Sequence, residues 1–115
     1  MTEPLIKGVP SYSVSIHMAG DIQLAKAVIG VFCKDEGLCV TVTPTTYVYT
    51  GGSEEGFRVG LINYPRFPKE PGEIRDVAER LAQFLRPCLQ QQSYCLESPE
   101  RTLWVSWRPE DAVAA

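Results

Sequence analysis

The sequence predicts an α+β domain with an antiparallel sheet and two helices on one face. Three observations carry that reading. Several segments alternate strictly between apolar and polar residues, as half-buried strands do. Two others repeat apolar residues at helical spacing. A glycine-bearing turn joins the second and third strands too closely for anything but an antiparallel pair. A chain of 115 residues allows one domain with a modest core.

Residues 1–9 read as a flexible arm. "SYSVSIHM", 11–18, is the first strand, with Tyr12, Val14, Ile16 and Met18 on one side and Ser11, Ser13, Ser15 and His17 on the other. Asp21 is a natural N-cap and Gly37 a natural stop. Between them Ile22, Ala25, Val28 and Phe32 keep helical spacing, widened by Leu24 and Val31. "LCVTVTPTTYVYT", 38–50, alternates again, and Pro44 places it at a sheet edge or at a bulge. "GGSEEG" reads as a turn. "FRVGLINY", 57–64, sets Phe57, Val59 and Leu61 against Arg58, Gly60, Ile62 and Tyr64.

A stiff loop with Pro65, Pro68 and Pro71 follows. Pro71 also suits the first turn of the second helix. In that helix Ile74, Val77, Ala78, Leu81, Phe84 and Leu85 form the cleanest apolar stripe, and Pro87 ends or kinks it. "RTLWVSW", 101–107, is expected as the fourth strand, with Leu103, Val105 and Trp107 in the core and Trp104 opposite. The order is the ferredoxin-like split β-α-β-β-α-β sandwich. It occupies residues 10–108, with 109–115 as a frayed tail.

The formal charge is −3, and there is no basic run to meet phosphates, so a nucleic-acid partner is not expected. "MTEPLIKGVP" lacks the basic start and apolar stretch of a secretory leader, and no run is long enough to span a bilayer. The expectation is a cytoplasmic protein with no membrane association. Cys33, Cys39, Cys88 and Cys95 form no CxxC pair, and His17 is the single histidine, so free thiols, no metal and no cofactor are expected.

Apolar alternation leaves the other sheet face with Ser11, Ser13, Ser15, His17, Arg58, Gly60, Ile62, Tyr64 and Trp104. Such a face suits a partly polar dimer interface, a surface under a loop, or a ligand groove. His17 is the one weak catalytic candidate, as acid or base near neutral pH. Tyr47 and Tyr49, beside the glycine turn, offer contact area with a polar tip. The turn itself matches no phosphate-binding pattern. On the proline loop, Arg66 suits a carboxylate or other anion, and Phe67 is either a core plug or an anchor.

"SIHMAGD", "EGLCVTV", "TYVYTGG" and "VGLINYPRFP" together resemble a family of small bacteriophage and prophage proteins. The resemblance implies an accessory role, such as engaging a host protein. Other ferredoxin-like families fit less well. A heavy-metal domain needs CxxC, a two-histidine phosphoesterase needs a second histidine, and an RNA-recognition motif needs a basic aromatic third strand.

The expected function is therefore a non-enzymatic interaction module, probed through the open sheet face and the Tyr64–Phe67 loop. Its expected partners are a second copy of the chain, as a homodimer, and a host protein. The alternative is a site for a small anionic ligand, or a minor enzyme, around His17. The candidate contact residues are His17, Tyr47, Tyr49, Arg58, Tyr64, Arg66, Phe67 and Trp104.

Overall fold

The computed structural model describes residues 2–112. Residues 2–12 carry no regular secondary structure. The elements are β1 (Ser13–Ala19), α1 (Ile22–Glu36), β2 (Thr41–Tyr49), β3 (Gly52–Ile62), α2 (Pro71–Cys88), β4 (Ser93–Glu97), β5 (Thr102–Ser106) and the single turn α3 (Pro109–Ala112). The strands form one antiparallel sheet in the order β2-β3-β1-β4-β5. Its first four strands are the expected ferredoxin-like arrangement, with β5 added at one edge.

Strand β1 sits inside the sheet, paired with β3 on one side and β4 on the other. Its alternation is borne out: Val14, Ile16 and Met18 are buried, while Ser15 and His17 are partly exposed. The buried side meets Phe57, Val59 and Leu61 of β3 and Tyr94 and Leu96 of β4. Ala25 and Ile29 of α1, with Ile74, Val77, Ala78, Leu81, Ala82 and Leu85 of α2, close this core from one side. Each fully buried Ile or Leu contributes roughly 1.5–3 kcal/mol relative to exposure. No helix of the described residues is long and apolar enough to cross a membrane.

The helix signals work as read. The Asp21 carboxylate accepts from the backbone amide of Gln23 at 2.8 Å, and Gly37 closes α1 in the left-handed conformation at φ 61°. Pro71 opens α2, where Glu70 and Glu73 form a reciprocal capping box. Pro87 lies one residue inside the end of α2, so it falls where the helix is already terminating.

Two boundaries differ from expectation, while Pro44 takes the edge place that was one of its two expected positions. The hairpin turn is only Thr50–Gly51, so most of "GGSEEG" is strand and β3 begins at Gly52. Pro44 sits in an edge strand with unbroken register, Thr41 opposite Gly60 through Tyr49 opposite Gly52, and needs no bulge. The fourth strand is Ser93–Glu97, and the segment expected in that role is the fifth, at the edge. Val105 still packs on the core, but Leu103 and Trp107 remain partly exposed because β5 lies at the margin of helix cover. Trp107 instead stacks under the Arg86 guanidinium, 3.9 Å from the ring centroid, and lies beside Tyr94. Within the expected tail, Pro109–Ala112 is helical, and 113–115 lie outside the described residues.

The β1–β3 pairing requires a bare backbone at Gly56. A methyl group there would stand 2.7 Å from the Ala19 Cα and 2.9 Å from the Tyr47 ring, and nearer still to the Met18 carbonyl. At Gly60 it would meet mainly the Thr41 hydroxyl, a side chain that can rotate away. Gly56→Ala is therefore expected to lose about 1–3 kcal/mol or more, and Gly60→Ala clearly less, in urea unfolding. Equal losses would contradict this account of the pairing.

A candidate ligand groove on the open sheet face

The face without helices is organised in rows. Register places Thr43, Arg58, His17, Cys95 and Trp104 side by side across all five strands. One row further on, Thr45, Gly56 and Ala19 follow, all small. Beyond Ala19, β1 stops, but the β2–β3 hairpin runs on to Tyr49 and Gly52. The overhanging hairpin and the small residues leave a concave groove of about 480 Å³. Tyr47, Tyr49 and Glu54 line one wall; Ser93, Cys95, Glu97, Trp104 and Arg108 line the other; His17 and Ala19 lie between.

Each wall residue is held. The Tyr47 ring fits beside the bare Gly56 backbone, and its hydroxyl donates to the Phe57 carbonyl at 2.6 Å. Burial is the main reason its phenol pKa is raised. His17 Nε2 donates to Glu97 Oε1 at 2.9 Å, with the imidazole edge-on to Tyr47 at 6.1 Å. The Tyr49 hydroxyl donates to Glu54 at 3.1 Å, and that bond is the leading cause of a raised phenol pKa. Trp104 stays more than half exposed. The Cys95 thiol is pushed up by burial first and by the Glu97 charge second, so it stays protonated and is a poor nucleophile.

The groove thus combines aromatic walls, two carboxylates and one guanidinium. Among the described residues no group of His, Cys, Asp and Glu is arranged to hold a metal ion.

Of the residues singled out in the sequence, His17, Tyr47, Tyr49 and Trp104 come together here. Arg58 neighbours His17 on the same face but does not line the groove. Tyr64, Arg66 and Phe67 lie past the opposite end of β3: Tyr64 stacks on Phe67 at 6.0 Å, and Arg66 covers the Phe67 ring at 5.7 Å. That loop and Trp104 therefore do not form one flat contact patch. Sequence reasoning missed Glu54, Cys95, Glu97 and Arg108. The alternation of Ser93, Cys95 and Glu97 against Tyr94 and Leu96 was the available signal for the unread strand β4.

A helix-backed antiparallel sheet with a walled groove on its free face defines a small α+β domain. Two solved structures share this fold. A phage SAM lyase in the apo state superposes with a TM-score of 0.68 at 17% identity, over 92% of this chain and 95% of that one. A phage SAM lyase in complex with S-methyl-5'-thioadenosine superposes with a TM-score of 0.58 at 15% identity, over 94% and 98%. No protein-family model and no curated protein sequence matches. Both neighbours are enzymes, and this overturns the expectation of a non-enzymatic interaction module. The physical reason agrees: the expected contact surface is split between two ends of the sheet, while the free face forms a concave site.

Burial separates the four thiols. Cys39 and Cys88 are exposed; Cys33 and Cys95 are partly buried, and burial is the leading cause of their raised pKa values. In timed iodoacetamide labelling at pH 8, read by peptide mass spectrometry, Cys39 and Cys88 are expected to react first. Fastest labelling at Cys95 would contradict a protonated thiol in the groove.

Proposed function

We propose that this chain is an enzyme of the S-adenosylmethionine lyase type, with the groove beside His17 as its substrate site. The observation that carries the reading is the chemistry of that groove, found on a fold shared with two such enzymes. The phage character of both neighbours also supports the origin expected from sequence.

S-Adenosylmethionine offers an adenine, a sulfonium, an ammonium and a carboxylate. Tyr47, Tyr49 and Trp104 provide flat surfaces for the adenine or the cationic sulfur. Glu54 and Glu97 favour a positively charged ligand, in place of the anionic one expected around His17. A unit positive charge ~4 Å from a carboxylate near a protein surface is attracted by about 4 kcal/mol.

The reaction asks little covalent help from the protein. The bond from sulfur to the amino-acid arm breaks, and its electron pair stays on sulfur as a neutral thioether. The arm restores its valence from within, through its own carboxylate oxygen or by losing a neighbouring proton. Neither route consumes water or a redox partner. The protein's part is to hold the arm in a reactive pose and to stabilise charge. The His17–Glu97 pair lines the groove, and on this reading it receives the proton or faces the sulfonium charge.

Purified protein incubated with S-adenosylmethionine is expected to release S-methyl-5'-thioadenosine well above the spontaneous rate, by liquid chromatography and mass spectrometry. Glu97→Gln, which removes a charge and keeps the shape, is expected to slow release at least about tenfold. Release no faster than in buffer would sink the proposal, and an unchanged Glu97→Gln rate would remove Glu97 from it.

A further inference from the structure

Arg108 differs from the other groove residues in sign: among the described lining residues it is the one Lys or Arg. It is also pre-positioned. Its backbone amide donates to the Ser106 hydroxyl at 3.1 Å, and its guanidinium donates to the Ser93 hydroxyl at 3.0 Å. The Ser106 hydroxyl in turn donates to Asp111, which fixes the single turn α3 against the end of β5. The Asp111 carboxylate also forms an ion pair with the guanidinium, but a loose one, at 3.9 Å and beyond hydrogen-bond distance. By contrast Arg75 and Arg80 are closely paired with Glu100 and Glu36, and Arg86 is spent on the Gln91 carbonyl and the Trp107 ring. A guanidinium has five N–H donors. At Arg108 one is used by Ser93, so a fork remains for a ligand.

We propose that Arg108 is the anchor for the substrate's carboxylate, and so selects amino-acid-bearing sulfonium nucleosides over those without a carboxylate. This rests on the function proposed above and goes one step further into it. The charge count supports it: two carboxylates and one guanidinium in the groove mirror two positive centres and one carboxylate in S-adenosylmethionine. Planar, two-point recognition of a carboxylate is what a guanidinium does and an ammonium does poorly. The position makes functional sense as well. Arg108 is carried by the chain leaving β5, across the groove from Tyr49 and Glu54, so a substrate stacked on the aromatic walls directs its arm between them.

The test compares two ligands that the protein does not cleave, by isothermal titration calorimetry. S-Adenosylhomocysteine carries the amino-acid arm; S-methyl-5'-thioadenosine lacks it. Arg108→Ala is expected to weaken S-adenosylhomocysteine about tenfold or more and to leave S-methyl-5'-thioadenosine within about twofold, which also shows that the variant is folded. Arg108→Lys keeps the charge and loses the fork, so it is expected to fall between. If Arg108→Ala does not fold, Arg108→Lys makes the same comparison with a smaller expected difference. Equal effects on both ligands, or none on either, would overturn the role of Arg108 while leaving the groove as a nucleoside site. Failure of the unmodified protein to bind either ligand would overturn both readings.

Discussion

Cover on one side only is the constraint from which the rest of this molecule follows. Strand β1 is paired on both edges and buries Val14, Ile16 and Met18 under two helices. Side chains alternate along a strand, so Ser15, His17 and Ala19 are forced onto the uncovered face. A slip of one residue would put His17 in the core and Ile16 in water. The buried stripe thus fixes where the imidazole stands, and the register of β3 and β4 fixes what stands beside it.

The uncovered face becomes a site because the strands are unequal in length. Strand β1 ends at Ala19 while the β2–β3 hairpin continues to a two-residue turn, with Gly51 at φ 90° supplying the backbone that the turn requires. Gly56 admits the Tyr47 ring above it. On the far side, β5 adds Trp104, and the turn after it adds Arg108. The groove is therefore a product of overhang at one margin and extension at the other, set around a flat strip of small residues.

Much of the framework was legible in the sequence for direct physical reasons. Asp21, Gly37 and Pro71 each name a backbone state and stand where read, and the apolar stripe of α2 is buried as read except at Phe84, which stays exposed. Strand β4 was not legible with the same ease. Five residues, with only Tyr94 and Leu96 as apolar members, give alternation little length in which to declare itself. Losing that strand gave "TLWVS" the role of the fourth strand beside β1, and it hid Cys95 and Glu97. Arg108 was hidden for a different reason: its role depends on Ser93, fifteen residues earlier, and no local pattern reports such a contact. Tyr64, Arg66 and Phe67 show the converse. Their composition suggested a contact loop, yet much of their stacking is satisfied among themselves.

The two tryptophans allow the central claim to be tested directly. Trp104 faces the groove, while Trp107 is held against Arg86 and Tyr94 near the helix side. The most direct measurement is a titration of ¹⁵N-labelled protein with S-methyl-5'-thioadenosine, followed by nuclear magnetic resonance. The account predicts saturable shifts at the Trp104 indole and at the backbone amides of His17, Ala19, Tyr49 and Cys95, with the Trp107 indole nearly still. Shifts gathered around Asn63, Tyr64 and Lys69 at the other end of the sheet, or none at all, would contradict it.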